Sequence, residues 1–150
     1  ALGSLRMDGA YRDYGHRRPR NDDLALPVLR FAVDLKKPDG FIGKEALLER
    51  RAKGPLQRRL VSVLVMDPEP QMFHAEIVRR DGKAVGYVRA ASYGHTLGGA
   101  VGLAFLEPKQ TVDDTYLASG TWEVEIAGKR YPAAVSARPL YDPKGEAIRR

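Results

Sequence analysis

From Arg58 onward the apolar residues of this chain recur with a period of two, and that pattern decides what it can fold into. Leu60, Ser62, Leu64 and Met66 alternate with Val61, Val63 and Val65. Both series are mostly apolar, so the segment reads as a strand buried on both faces. Glu76 to Arg89 follows as a hairpin turning at Asp81-Gly82. Gly86 inside its second arm marks a bulge or a close backbone approach. Ala91 to Gly99 is a glycine-punctuated loop, and Ala100 to Leu106 is a further apolar strand. After a polar connection from Thr111 to Gly120, Thr121 to Ala127 and Tyr131 to Ala137 form a closing hairpin around Gly128. Trp122, Val124 and Ile126 make its packed side, Glu123 and Glu125 its wet side. About five to six strands this short and this close together imply an antiparallel barrel or sandwich.

The first third of the chain is different. Leu2 and Leu5 are spaced like the inner side of a helix that stops near Gly9. A sequence that opens in the middle of such a pattern is expected to be a piece of a longer polypeptide. Tyr11 to Asp23 is a loop crowded with Arg12, Arg17, Arg18 and Arg20. Phe31-Ala32-Val33 is expected to be extended. Pro38 to Leu56 reads as a short helix after an Asp39-Gly40 turn. Ala46, Leu47, Leu48 and Ala52 form its apolar side, and Gly54-Pro55 closes it. The expected class is therefore α+β, mainly β: a small antiparallel β-barrel preceded by a loop-rich segment and a short helix.

Over 150 residues the formal charge is +6. A basic surplus fits an anionic partner or an acidic surface of another domain, and equally an ordinary basic surface. There is no cysteine, which excludes disulfides and thiolate-held zinc and fits a reducing compartment such as the cytoplasm. No apolar run approaches the ~20 residues of a membrane-spanning helix. His16, His74 and His95 are scattered, with no metal-ligand spacing. Ser92 to Gly99 could cradle a phosphate, but it lacks the ending of a P-loop, and a connection between strands is the simpler reading. Ser92 and His95 have no acid beside them in sequence that would make a nucleophile and base. Asp8, Glu45, Glu49, Glu123 and Glu125 read as surface carboxylates. By itself the chain carries no catalytic centre that the sequence reveals; it reads as a binding or shaping part.

Taken in order, its segments resemble the C-terminal part of the aminomethyltransferase-like, tetrahydrofolate-binding region. That region occurs in the glycine-cleavage T-protein and in dimethylglycine and sarcosine dehydrogenases, which are flavin enzymes. SLRMDGAYRDYG (Ser4 to Gly15), KKPDGFIGKEAL (Lys36 to Leu47), RRLVSVLV (Arg58 to Val65), VGYVRAASYGHTLGGAVGLAFLEP (Val85 to Pro108) and YPAAVSARPLYDPKGEAIR (Tyr131 to Arg149) carry the resemblance. The FIGKEAL, SLR and YDP blocks resemble the flavin dehydrogenases more than the glycine-cleavage protein. Three positions depart from the pattern. Leu2 stands where the glycine-cleavage protein has a folate-contacting Arg, Asp8 where Glu is usual, and Tyr14 where Trp is usual.

The resemblance implies a role. In such enzymes FAD in an N-terminal domain oxidises an N-methyl amine, and the one-carbon unit passes to tetrahydrofolate held in the aminomethyltransferase-like half. Residues 1–56 are then the tail of the folate-binding domain and 57–150 the C-terminal barrel domain, with most of the folate site and the catalytic Asp outside this chain. Phe31, at an aromatic position of the family, is the first implied cofactor-binding residue, since a flat ring can stack on folate. Arg6 of the SLR block and Tyr14 are the others. The partners implied are folate and the flavin and folate domains of the same polypeptide. The alternatives are a glycine-cleavage aminomethyltransferase, a non-catalytic regulatory relative, and a basic nucleic-acid-binding barrel, for which no recognised binding motif is present.

Overall fold

The computed structural model describes residues 2–11, 33–52 and 58–149, apart from the side chains of Arg50 and Ile148. Six strands form one closed antiparallel barrel: β1 (Arg59–Val65), β2 (Ile77–Arg80), β3 (Lys83–Gly94), β4 (Gly99–Leu106), β5 (Trp122–Ile126) and β6 (Lys129–Ser136). The order around the ring is β1-β4-β3-β2-β5-β6, and β6 returns to β1. Val63 lies opposite Gly102 on one side and Val135 on the other. The expected barrel is thus the observed one.

The period-two pattern of β1 and β4 feeds two separate apolar clusters. Val61, Val63 and Val65 join Val78, Val88, Ala104, Leu106 and Val124 in the main core. The alternate residues Leu60, Leu103 and Phe105 pack with Ala10 in a second cluster. Every residue of β4 is buried, which is why its sequence has no wet side. Each fully buried Val or Leu contributes roughly 1.5–3 kcal/mol by leaving water. Gly86 faces Leu106 and Val78 across the ladder; a Cβ there would run into the Phe105 carbonyl. The close approach read from the sequence is real. The turns are as expected too: Asp81-Gly82 and Ala127-Gly128 both have positive φ at both positions, the geometry that matches strand twist.

Two segments read as irregular are ordered. Strand β3 runs on through Ala91, Ser92 and Tyr93 to Gly94, so the connection to β4 is only a four-residue turn over 95–98. The Thr111 to Gly120 connection contains α3 (Asp114–Ala118), capped by Asp113, whose carboxylate accepts from the Tyr116 amide at 2.7 Å. α3 puts Tyr116 and Leu117 into the main core, where the Trp122 indole donates to the Leu117 carbonyl at 3.2 Å. The Arg80 guanidinium lies 4.2 Å from the centre of the Tyr116 ring and donates to the Ser119 carbonyl and hydroxyl. Asp81 beside it accepts from the Thr121 amide.

The two other helices bury different faces from those expected. In α1 (Leu2–Asp8), Leu2 and Leu5 are 83% and 63% exposed, while Ser4, Met7 and Asp8 point inward. The i, i+3, i+4 set facing the barrel is the one containing two polar residues, which apolar periodicity alone does not find. In α2 (Lys44–Ala52) only Leu47 of the expected apolar side is buried; Ala46, Leu48 and Ala52 are exposed. The Asp39-Gly40 turn before α2 is present, with Gly40 at positive φ and its amide on the Lys37 carbonyl. The Arg-rich loop after Tyr11, the Phe31-Ala32 pair and the Gly54-Pro55 stop lie outside the described residues.

Candidate functional site

α1 docks where β3 ends. The Ser4 hydroxyl donates to the Tyr93 carbonyl at 2.6 Å, fixing the first turn of the helix to the strand. One turn later Met7, 1% exposed, seals the contact. The helix stops with Ala10 in the left-handed region (φ 53) and the Tyr11 amide bonded to the Arg6 carbonyl. This is a capping pattern usually built on glycine. Gly9 precedes it, with the exposed Tyr11 ring folded over its Cα. Ala10 then enters the second cluster beside Phe105, whose ring carries the Arg58 guanidinium 3.9 Å from its centre.

These contacts hold Asp8 in place. It is 2% exposed, and neither carboxylate oxygen has a hydrogen-bond partner among the described residues. The surface position read from the sequence is therefore wrong. The geometry compounds the cost in two ways. Burying an ionisable oxygen without a donor is unfavourable by itself. Asp8 is also the last residue of α1, where the helix dipole already presents negative charge. One of the oxygens, Oδ1, lies against Gly94, at the end of β3, with the Tyr93–His95 edge-to-face pair adjoining it (ring centres 5.2 Å apart). A paired acceptor held this way is matched to a ligand that presents two N–H donors side by side.

Of the residues implied as folate contacts, Arg6 is half-buried on α1, two positions from Asp8 and hence on another side of the helix. Phe31 and Tyr14 lie outside the described residues. The turn over 95–98 is a tight hairpin connection, with the Gly98 amide on the Gly94 carbonyl. His95 pairs with Tyr93 rather than with Ser92. Among the described residues no group of His, Asp and Glu side chains comes together as a metal site, and no helix is long and apolar enough to cross a membrane.

The sequence profile of the glycine cleavage T-protein C-terminal barrel domain matches residues 58–142, more than half of the chain. The chain belongs to that family. This T-protein barrel chain is 46% identical over 149 residues to a 4-methylaminobutanoate oxidase (formaldehyde-forming) of Paenarthrobacter nicotinovorans, covering 99% of itself and 17% of that protein. It is 33% identical over 152 residues to human mitochondrial sarcosine dehydrogenase, covering 99% of itself and 16% of the relative. It therefore spans about a sixth of the length of these relatives. The crystal structure of the glycine cleavage system aminomethyltransferase T from Bartonella henselae has the same fold, with a TM-score of 0.71 at 22% identity over 94% of this chain and 38% of that one.

Asp8 is the candidate that sequence reasoning placed at the surface. One signal was available: Ser4, Met7 and Asp8 share a helix face, and a carboxylate in line with a large apolar residue is not where solvent-facing charge belongs.

Proposed function

We propose that this chain is the C-terminal part of the folate-binding half of an FAD-dependent N-methyl amine dehydrogenase of the dimethylglycine or sarcosine type. In this reading, residues 1–56 end the folate domain and residues 57–150 are the barrel packed against it. The observation that carries the proposal is the buried, unpartnered carboxylate of Asp8. The 2-amino-4-oxopyrimidine ring of a reduced pterin offers an adjacent ring N–H and exocyclic NH2, a two-donor edge that fits a paired acceptor. When bound, tetrahydrofolate supplies a nucleophilic nitrogen that accepts a one-carbon unit. Asp8 accepts from the pterin edge and orients it. Ser4 and Met7 fix the helix that carries Asp8. Phe31, Arg6 and Tyr14 remain proposed cofactor contacts on the family resemblance.

FAD does not fit this chain: there is no GxGxxG fingerprint anywhere in its sequence, so the flavin is assigned to another part of the polypeptide. The chain alone is accordingly proposed to be without turnover. A cytoplasmic setting fits the absence of cysteine.

The name of the 46%-identical relative raises a second reading, in which the one-carbon unit leaves as formaldehyde. One experiment addresses both. The full-length protein carrying this chain is supplied with N-methyl amines, with and without tetrahydrofolate, and free formaldehyde is measured alongside folate affinity. The proposal expects folate to bind and to suppress formaldehyde release, and expects Asp8→Ala to weaken that binding by roughly 10- to 100-fold, the scale of a charge-assisted hydrogen bond. Undiminished formaldehyde with no folate binding would establish the second reading.

A further inference from the structure

Gly94 ends β3 immediately beneath the Asp8 carboxylate. It is not among the glycines with positive φ, so its backbone is one that any residue could adopt. What excludes a side chain is space. A Cβ built on Gly94 would overlap Asp8 Oδ1 and would stand 2.8 Å from Val101 Cγ1 and 3.4 Å from the Gly99 carbonyl oxygen. Neither close neighbour has room to give way: Val101 is 0% and Asp8 2% exposed. Gly99 opposite it in the ladder is also crowded, with the Val65 carbonyl 2.7 Å from where its Cβ would be. The hairpin therefore cannot shift to make space by itself. The helix cannot lift away easily either, because the Ser4–Tyr93 bond ties it to the residue next to Gly94.

We infer that Gly94 is a positioning residue for the ligand at Asp8: its bare Cα is the floor on which the carboxylate rests, and any side chain there would push the carboxylate out of register with a two-donor ligand edge. Resting on the folate reading of Asp8, this adds a residue that touches no ligand and acts only through the acid above it. It also explains why β3 ends in glycine.

The test is a double-mutant cycle for tetrahydrofolate binding to the full-length protein, using wild type, G94A, D8A and D8A/G94A. The expected result is that G94A weakens binding by about tenfold or more, on the scale of one charged hydrogen bond, whereas D8A/G94A binds no more weakly than D8A. A purely structural role for Gly94 would instead weaken binding by the same factor in both backgrounds, and that would overturn the inference. So would G94A binding as tightly as wild type. If D8A itself binds like wild type, the folate reading of Asp8 fails and takes this inference with it; if D8A is weak and G94A is not, only the inference fails. Should G94A not fold, G94A/V101A, which frees the valine side for the new methyl, is compared with V101A. Weaker binding in the double variant supports the positioning role, and equal binding removes it.

Discussion

The two ends of β3 treat their charged groups in opposite ways. At the Lys83 end, Arg80 stacks on Tyr116 and donates twice to Ser119, Asp81 takes the Thr121 amide, and Asp113 caps α3. Arg80, Asp81 and Asp113 each have a partner inside the chain. At the Gly94 end, some twelve residues and roughly 40 Å of extended chain away, Asp8 is more deeply buried than any of them and has no hydrogen-bond partner among the described residues. A satisfied network stiffens a fold; an orphaned acceptor weakens it and persists where something outside the chain completes it. The contrast separates a clasp from the proposed binding site, although both are built from an acid, an aromatic ring and a short helix.

Removing the clasp should have the largest effect. Arg80→Ala takes away the contacts with the Tyr116 and Trp122 rings, two hydrogen bonds to Ser119 and the ion pair with Asp81, and is expected to destabilise the barrel by about 3 kcal/mol. Hydrogen exchange of the 113–122 segment in the full-length protein should speed up accordingly, with folate affinity unchanged. If affinity fell as steeply as stability, the two ends would not be independent. Asp8→Ala is expected to act in reverse, raising stability without ligand by about 1 kcal/mol, because an unsatisfied buried acceptor is gone. A melting temperature that dropped would mean that Asp8 is held by a partner of its own. Ser4→Ala, which severs one hydrogen bond, is expected to cost about 1 kcal/mol and to weaken folate binding two- to fivefold by loosening α1.

The smallest effect concerns pH. Burial holds the Tyr116 hydroxyl above its usual 10.0, with the Arg80 charge partly opposing it. In a group whose folded pKa is raised, the stabilising contribution is whole below the unfolded value and fades as pH climbs through the folded one. Stability should therefore sag above about pH 10, and Tyr116→Phe should flatten that sag while keeping the ring under Arg80. A Tyr116→Phe variant as alkali-sensitive as wild type would show that another group controls the decline.

Much of the barrel was legible because its strands obey simple rules. β1 carries apolar residues in both registers, and the structure gives each register its own cluster. Asp81-Gly82 and Gly128 mark turns where left-handed backbone is least costly, with Ala127 adopting it beside Gly128. α3 was hidden because five residues are too few to display a helical period, although Asp113 was a cap in plain view. The helix faces were misjudged for another reason. Leu2 and Leu5 looked inward on apolar character, yet which face of α1 meets the barrel is set by where Ser4 can reach the Tyr93 carbonyl. Asp8 was assigned to the surface because carboxylates nearly always lie there, and its place on one helix face with Met7 was the signal against that. The implied contacts Phe31 and Tyr14 fall outside the described residues.

Because β6 bonds back to β1, the ring of strands is closed, and where β3 runs on past β2 toward Gly94 it is met by α1 through the Ser4–Tyr93 bond. With that overhang covered, the ring gives a passing strand little to add to, and its outward side chains can change while the inner lining stays as it is.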